Sequence, residues 1–431
     1  MKRTLVSLFA MAAAVGLVAL ATSANVPEPS APAQYATSVT PATLPVSCPG
    51  DLRVPVGSIE SGDPDLDSTA TDVTFDYFGG EVTEAGDGAV LTGDVGSQVE
   101  RVGGGDIAGL AGLTCSRPLS DQWLVGGSTA IGSSARIVLT NSTSAPVEAR
   151  LEFYGALGKV ELEQLVAVAP QAQQSLLIEG VAPELDVMAV RVVAPGPGIA
   201  AAIQASDLDG FVPAGTDWVS STTVSQAVTV PGIGPSSEDE PASLRMVAPE
   251  GGHVDITVVI GGQSILWPRD TGLELEAGVV TEIPLPPFDL ATVHLAAETP
   301  VAAAVRVAVP REHVDGATAF DTAWISAQGS DPGVTFATVV PDGDVTLVVF
   351  SPFTGEAQFE ADGELSVGFD TPGLQEVALD LAPGTVISSD ANVTWMLRVT
   401  SEPGFITTLV PARTSVADIP VSVGVRNYPS P

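Results

Sequence analysis

Four stretches of this chain hold residue types at spacings that could do chemistry. "GDPDLDSTATD" sets Asp63, Asp65 and Asp67 at alternate positions, as carboxylates stand in calcium-binding loops. An EF-hand loop also needs Gly at its sixth position and Glu at its twelfth, to turn sharply and to close the oxygen shell. Ser68 and Thr74 stand there, so the stretch reads as a solvated acidic loop and no metal is expected. "RVGGGDIAGLAG" (101–112) nearly matches a dinucleotide fingerprint, but that motif works only between a strand and a helix. Gly109 and Gly112 would weaken such a helix, and the stretch reads as a turn-rich loop leading to Cys115. "GGSTA" (126–130) resembles a nucleophile elbow with Ala130 in place of the closing Gly, and a strand-like "ARIVLT" follows where an elbow needs a helix. Among aromatics, Trp123, Trp267 and Trp395 are the candidates for stacking on a ligand such as a sugar ring.

The remaining chemistry-bearing residues are sparse. The three histidines stand at 253, 294 and 313, and Glu312, His313 and Asp315 lack the spacing of metal ligands on a defined element. Any of the 52 Asp and Glu could form a pair, but a glycosidase needs two carboxyls set across a cleft. No catalytic residue, cofactor or metal site is therefore expected, and the chain reads as a non-enzyme.

The elements that would have to position these residues are strands. Hydrophobic residues make up 45% of the 431, enough for packed cores. Segments such as "ARIVLTN" (135–141), "VEARLEFYG" (147–155) and "VMAVRVVA" (187–194) alternate or are rich in β-branched residues between turn signals. Such spacing predicts β-sandwiches, and no window carries a long helical period with caps. "IAAAIQA" at 199–205 returns as "VAAAVRV" at 301–307, each followed by a Trp. We read these as equivalent core strands, with Ala201 and Ala303 facing inward and Trp218 and Trp324 plugging the ends of their sandwiches. Gly404, 206 residues after Gly198, marks the corresponding place in a third unit.

The expected architecture is all-β: about three tandem immunoglobulin-like β-sandwich units at 131–229, 241–329 and 333–425, joined by linkers such as 230–243. A β-rich N-terminal segment, 48–130, carries the cysteine pair and packs on the first unit. Residues 25–47, rich in Pro, Ser, Thr and Ala, form a spacer.

Composition also sets the compartment and excludes partners. Against 16 Lys and Arg, 52 acids leave a formal net charge of −36, which repels polyanions and excludes nucleic-acid binding. Lys2 and Arg3 precede an apolar run from Leu5 to Ala21, followed by small residues. Residues 1–24 thus read as a signal peptide or a membrane anchor, and the protein as extracytoplasmic. In that compartment Cys48 and Cys115, the only cysteines, pair as a disulfide. Closing so long a loop contributes about 4 kcal/mol in the chain-entropy model.

"CPGDLRVPVG", "GLTCSRP", "WLVGGS" leading into "SSARIVLTNSTSAPVEARLEFYG", and "PAGTDWV" together resemble the actinobacterial exported proteins of domain-of-unknown-function family 5719. The resemblance implies an exported, β-rich envelope protein and brings no catalytic or binding residues with it. The expected function is a structural or interaction role in the cell envelope, with an envelope protein or a glycan as partner. A carbohydrate-binding module array and a glycan-active hydrolase are the alternatives.

Overall fold

A computed structural model describes residues 34–39, 45–54, 70–210, 212–268, 272–312, 318–329, 333–402, 404–414 and 419–424. Among them there is no α-helix, only a 3₁₀ turn at Ile178–Gly180, and every strand pairing is antiparallel. Two compact units are present. In one, Gln34–Val39 pairs with Ile419–Gly424. The other, spanning residues 42–416, holds all the remaining sheets.

The first pair of sheets sets five strands, ending at Gly158–Val168 and Ser221–Thr222, against four, from Ala172–Leu177 to Val212–Val219. Alternation explains their shared core: Leu151 and Phe153 of one sheet meet Ile137, Leu139 and Ile203 of the other. In the second region one 22-residue strand, Ala291–Glu312, serves both layers. Its first half pairs with Gly252–Ile260 and Ser225–Ile233; its second half pairs with Ser243–Val247 and Thr318–Ser326. The third region again sets five strands against four, the latter running from Gly373–Ala378 to Phe405–Leu409. Its core gathers Phe359, Phe369, Trp395 and Leu397. Ahead of these lie two three-stranded sheets. One contains Val46–Cys48, Gly88–Leu91 and Val82–Ala85; the other contains Thr71–Phe78, Ser97–Gly104 and Gly109–Thr114.

The repeated phrase does occupy core strands. Ala201 is buried in the first core and Ala303 in the second. Register identifies the equivalences: Ile203 pairs with Val219, Val305 with Ile325, and Leu397 with Leu409. Each pair lies in the core of its own region. Gly404 is therefore not the counterpart of Gly198. It precedes the closing strand Phe405–Leu409, whereas Gly198 precedes the inner strand Ala200–Asp209.

The two repeated tryptophans do not plug their own sandwiches. Neighbouring residues of a strand face opposite ways. Val219 and Ile325 enter their own cores, so Trp218 and Trp324 must leave them. Trp218 packs with Leu52, Val102, Ile107 and Leu113 of the N-terminal segment. Trp324 packs into the core of the first region, against Gly126 and Val219. The expected linker also differs: Val230 and Ile233 are buried in a strand, and Ser236 exchanges backbone hydrogen bonds with Phe288.

Three closing strands, Val212–Val219, Thr318–Ser326 and Phe405–Leu409, meet around Gly109–Thr114, and two fully buried carboxylates tie them together. Asp217 Oδ1 accepts from Gly112 N–H (3.1 Å) and Thr407 Oγ1–H (2.8 Å), and its Oδ2 accepts from Trp324 N–H (2.8 Å). Asp321 Oδ2 accepts from Leu110 N–H (3.2 Å) and Ile406 N–H (2.8 Å), while its Oδ1 has no partner. The stretch expected as a turn-rich loop supplies the fourth partner: "GLAGLT" is a buried strand. A Cβ on Gly109 would come within 2.8 Å of the Thr216 backbone, and one on Gly112 within 3.0 Å of Thr407. Those glycines admit neighbouring strands, not a pyrophosphate.

Candidate functional site

Most of the residues singled out by type prove to be structural. Cys48 and Cys115 form a fully buried disulfide, Cα to Cα 4.7 Å, that clips the strand Val46–Cys48 to the end of Gly109–Thr114. Trp123 is buried, its ring 4.8 Å from that of Tyr154. Trp395 is buried edge-on to Phe359, and its backbone is held by Gln328. Burial thus removes both rings from the stacking role that their type suggested. Trp267 is half-buried against the second core, its Nε1–H donating to Pro284 C=O at 2.8 Å.

Ser128 of "GGSTA" donates to Leu185 C=O (3.1 Å), where an activated nucleophile would face a base. His253 lies between Glu274 (2.8 Å) and Asp255 (3.4 Å), and the Glu274 contact above all raises its pKa. His294 contacts Thr229 Oγ1 at 3.0 Å, and burial lowers its pKa. His313, Asp315, the side chain of Glu312 and the acidic triplet at 63–67 lie outside the described residues. Among the described residues no three His, Cys, Asp or Glu cluster as metal ligands.

A different place combines concavity, apolar surface and perturbed titration. The strands Thr71–Phe78 and Val82–Ala85 follow one another through the turn Gly79-Gly80-Glu81, yet they belong to different sheets and share no ladder. Among the described residues each stands at the edge of its sheet. In "TDVTFDYF" the period of two puts Val73, Phe75 and Tyr77 on one face. That face lines a groove of about 370 Å³ whose opposite wall is Val82, Glu84 and the turn from Gly86 to Ala89. Asp51, Asp87 and Glu100 complete the lining. Phe75 and Tyr77 meet edge to face, ring centres 4.7 Å apart and planes at 82°.

Glu100 is the one buried carboxyl of the lining. It stands opposite Phe75 on the neighbouring strand and is only 2% exposed. One oxygen accepts from Leu52 N–H at 2.6 Å, which straps residues 50–53 over the sheet; Gln98 holds Gly50 through both its amide atoms. Burial pushes the Glu100 carboxyl up to about 7, with the Leu52 N–H opposing and Asp51 reinforcing the shift. Burial likewise pushes the Tyr77 hydroxyl up to about 12, with Asp51, Glu100 and Glu84 adding to it. Arg53 bridges Asp51 (3.5 Å) and Asp87 (3.2 Å) at the rim, whereas Glu84 and Glu100 make no ion pair among the described residues.

A family model now places the chain: the match runs over residues 67–390 and takes in both edge strands, Glu100, Asp217 and Asp321. The chain belongs to DUF5719, a family of unknown function. No curated protein and no solved structure matches it. The DUF5719 match omits the strap at 50–53 and the strands Thr394–Ser401 and Phe405–Leu409, so neither Leu52 of the strap nor Thr407 of the buried node falls within it. Sequence reasoning passed over the groove. Its signal was the strict alternation in "VTFDYF", whose apolar face turns toward a gap where a core would be expected.

Proposed function

We propose that this chain is a non-enzymatic, extracytoplasmic protein of the cell envelope that holds a partner in the groove between its two edge strands. The observation that carries this reading is the groove itself. Two neighbouring edge strands stay unjoined and turn Val73, Phe75 and Val82 toward open space, on a body otherwise locked by buried contacts. Edge strands left open are places where another chain can add, and natural proteins usually block them. The apolar run behind Lys2 and Arg3, together with a buried disulfide, supports an exported location, whether the N-terminal segment is cleaved or kept as an anchor. Tandem immunoglobulin-like units fit the three groups of paired sheets, and they supply the rigid support an interaction surface needs.

The test is a photo-crosslinking amino acid at position 73 in the cellular protein, with position 157, which is fully exposed elsewhere, as control. A discrete adduct at 73, absent at 157 and lost with Phe75→Ser, is the expected result. Identical adduct patterns at both positions would overturn the reading. Fractionation of the same cells should place the protein outside the cytoplasm, with no thiol free to label before reduction.

A further inference from the structure

We propose that the groove receives an extended protein segment carrying lysine or arginine, one basic side chain entering between the two edge strands. This rests on the docking reading above and names the partner's chemistry. The argument is complementarity of charge and shape. A lysine or arginine side chain has an apolar stem and a charged end, and it lays the stem on apolar surface while the charge finds polar company. The groove offers both. Val73, Phe75 and Val82 provide the apolar walls, and the carboxylates of Glu84 and Glu100 line the same groove. Arg53 already shows the arrangement in part by bridging Asp51 and Asp87, whereas Glu84 and Glu100 form no ion pair among the described residues.

Backbone geometry favours an extended peptide as the carrier. Within the described residues Thr71–Phe78 and Val82–Ala85 each have one unpaired edge, where an incoming strand can exchange N–H···O=C bonds. A sugar fits less well: Phe75 and Tyr77 stand at 82° to each other and form no flat platform for a pyranose ring. A second copy of this chain fits poorly too, since two bodies of net charge −36 repel.

The test uses the purified full chain and a fluorescein-labelled peptide of alternating valine and lysine, in about 0.15 M salt so that distant charges are screened. Binding is read by anisotropy. Replacing the lysines with norleucine should weaken it by about tenfold or more. Glu84→Gln combined with Glu100→Gln should do the same, and Glu84→Gln alone, which leaves the strap untouched, should give part of the loss. Glu148→Gln with Glu161→Gln removes two exposed carboxylates elsewhere and should change affinity by less than about twofold.

Equal weakening by the two double variants would overturn the proposal, because the attraction would then be diffuse. Full displacement by spermidine at concentrations equal to the peptide's would overturn it as well, since no strand would be needed. If position 73 still forms its discrete crosslink while basic peptides do not bind, the docking reading stands and the basic partner falls. If neither is seen, both fall.

Discussion

At the scale of single residues, the two buried aspartates differ in what surrounds each oxygen. Both oxygens of Asp217 face a backbone donor, Gly112 N–H on one and Trp324 N–H on the other, so an amide there would press its NH₂ against an N–H that cannot turn away. Only one oxygen of Asp321 receives donors. We expect Asp217→Asn to lose roughly 1–3 kcal/mol, the usual penalty for a buried donor left unmatched. Asp321→Asn should be nearly neutral in urea melts at pH 5.

The same pair carries a pH dependence. Burial pushes the Asp321 carboxyl up to about 7, opposed mainly by the Ile406 and Leu110 N–H groups and also by Arg311, and it drives Asp217 upward as well. A carboxyl whose pKa is higher folded than unfolded holds a proton that unfolding releases. Its contribution is therefore full at pH values below its unfolded pKa and is lost as the pH rises through about 7. Glu100, also at about 7, acts in the same direction. Stability should fall between pH 5 and pH 8, and Asp321→Asn should flatten that slope. A slope unchanged by Asp321→Asn would show that the proton resides elsewhere.

At the scale of elements, the strand Gly109–Thr114 is the piece on which all three closing strands lean. Its glycines are packing residues with ordinary backbone angles. Gly109→Ala would force a methyl within 2.8 Å of the Thr216 backbone, which cannot move aside as a flexible side chain would. Overpacking of this kind costs roughly 1–3 kcal/mol, and a lower urea midpoint for Gly109→Ala would register it. Gly180→Ala, with open space around the added methyl, is the control and should change little. The repeated inner strands make a parallel case. Ala201 and Ala303 are both buried, and Ala303→Leu should overpack the second core by a similar roughly 1–3 kcal/mol.

At the scale of the whole molecule, regions that the sequence divides into separate units exchange parts. Trp324 completes the core of the first region. Arg245, from the second, donates to Gly127 C=O and Asp186 C=O of the first and lies 5.0 Å from the Trp324 ring. Gln328 binds the backbone of Trp395 in the third. Contacts of this kind couple stabilities, so residues 42–416 should unfold in one calorimetric transition, not three. Trp324→Ala should destabilise by about 3–5 kcal/mol, the usual cost of removing a buried Trp. The isolated fragment 118–224, which keeps every strand of the first region but lacks that ring, should melt below the intact chain. If it melts at the same temperature, the regions are independent after all.

What the sequence determined by itself is what local pattern can carry. A period of two between turn residues makes strands, and among the described residues strands are the only regular elements apart from one 3₁₀ turn. A repeated alanine-rich phrase makes equivalent core strands, and two cysteines in a chain with an export-like leader make a disulfide. The motifs quoted for the family likewise lay in plain view. The tertiary structure decided which face of each strand met which neighbour. The alternation around Trp218 and Trp324 says only that each ring lies opposite its own core; it cannot say whose surface receives it. The same limit hid the aspartate node, whose donors come from strands more than 80 residues away in the chain, and the groove, which exists because two consecutive strands joined different sheets. Burial, open edges and the pKa of a carboxyl are properties of surroundings assembled from distant parts of the chain, and only the folded molecule brings those parts together.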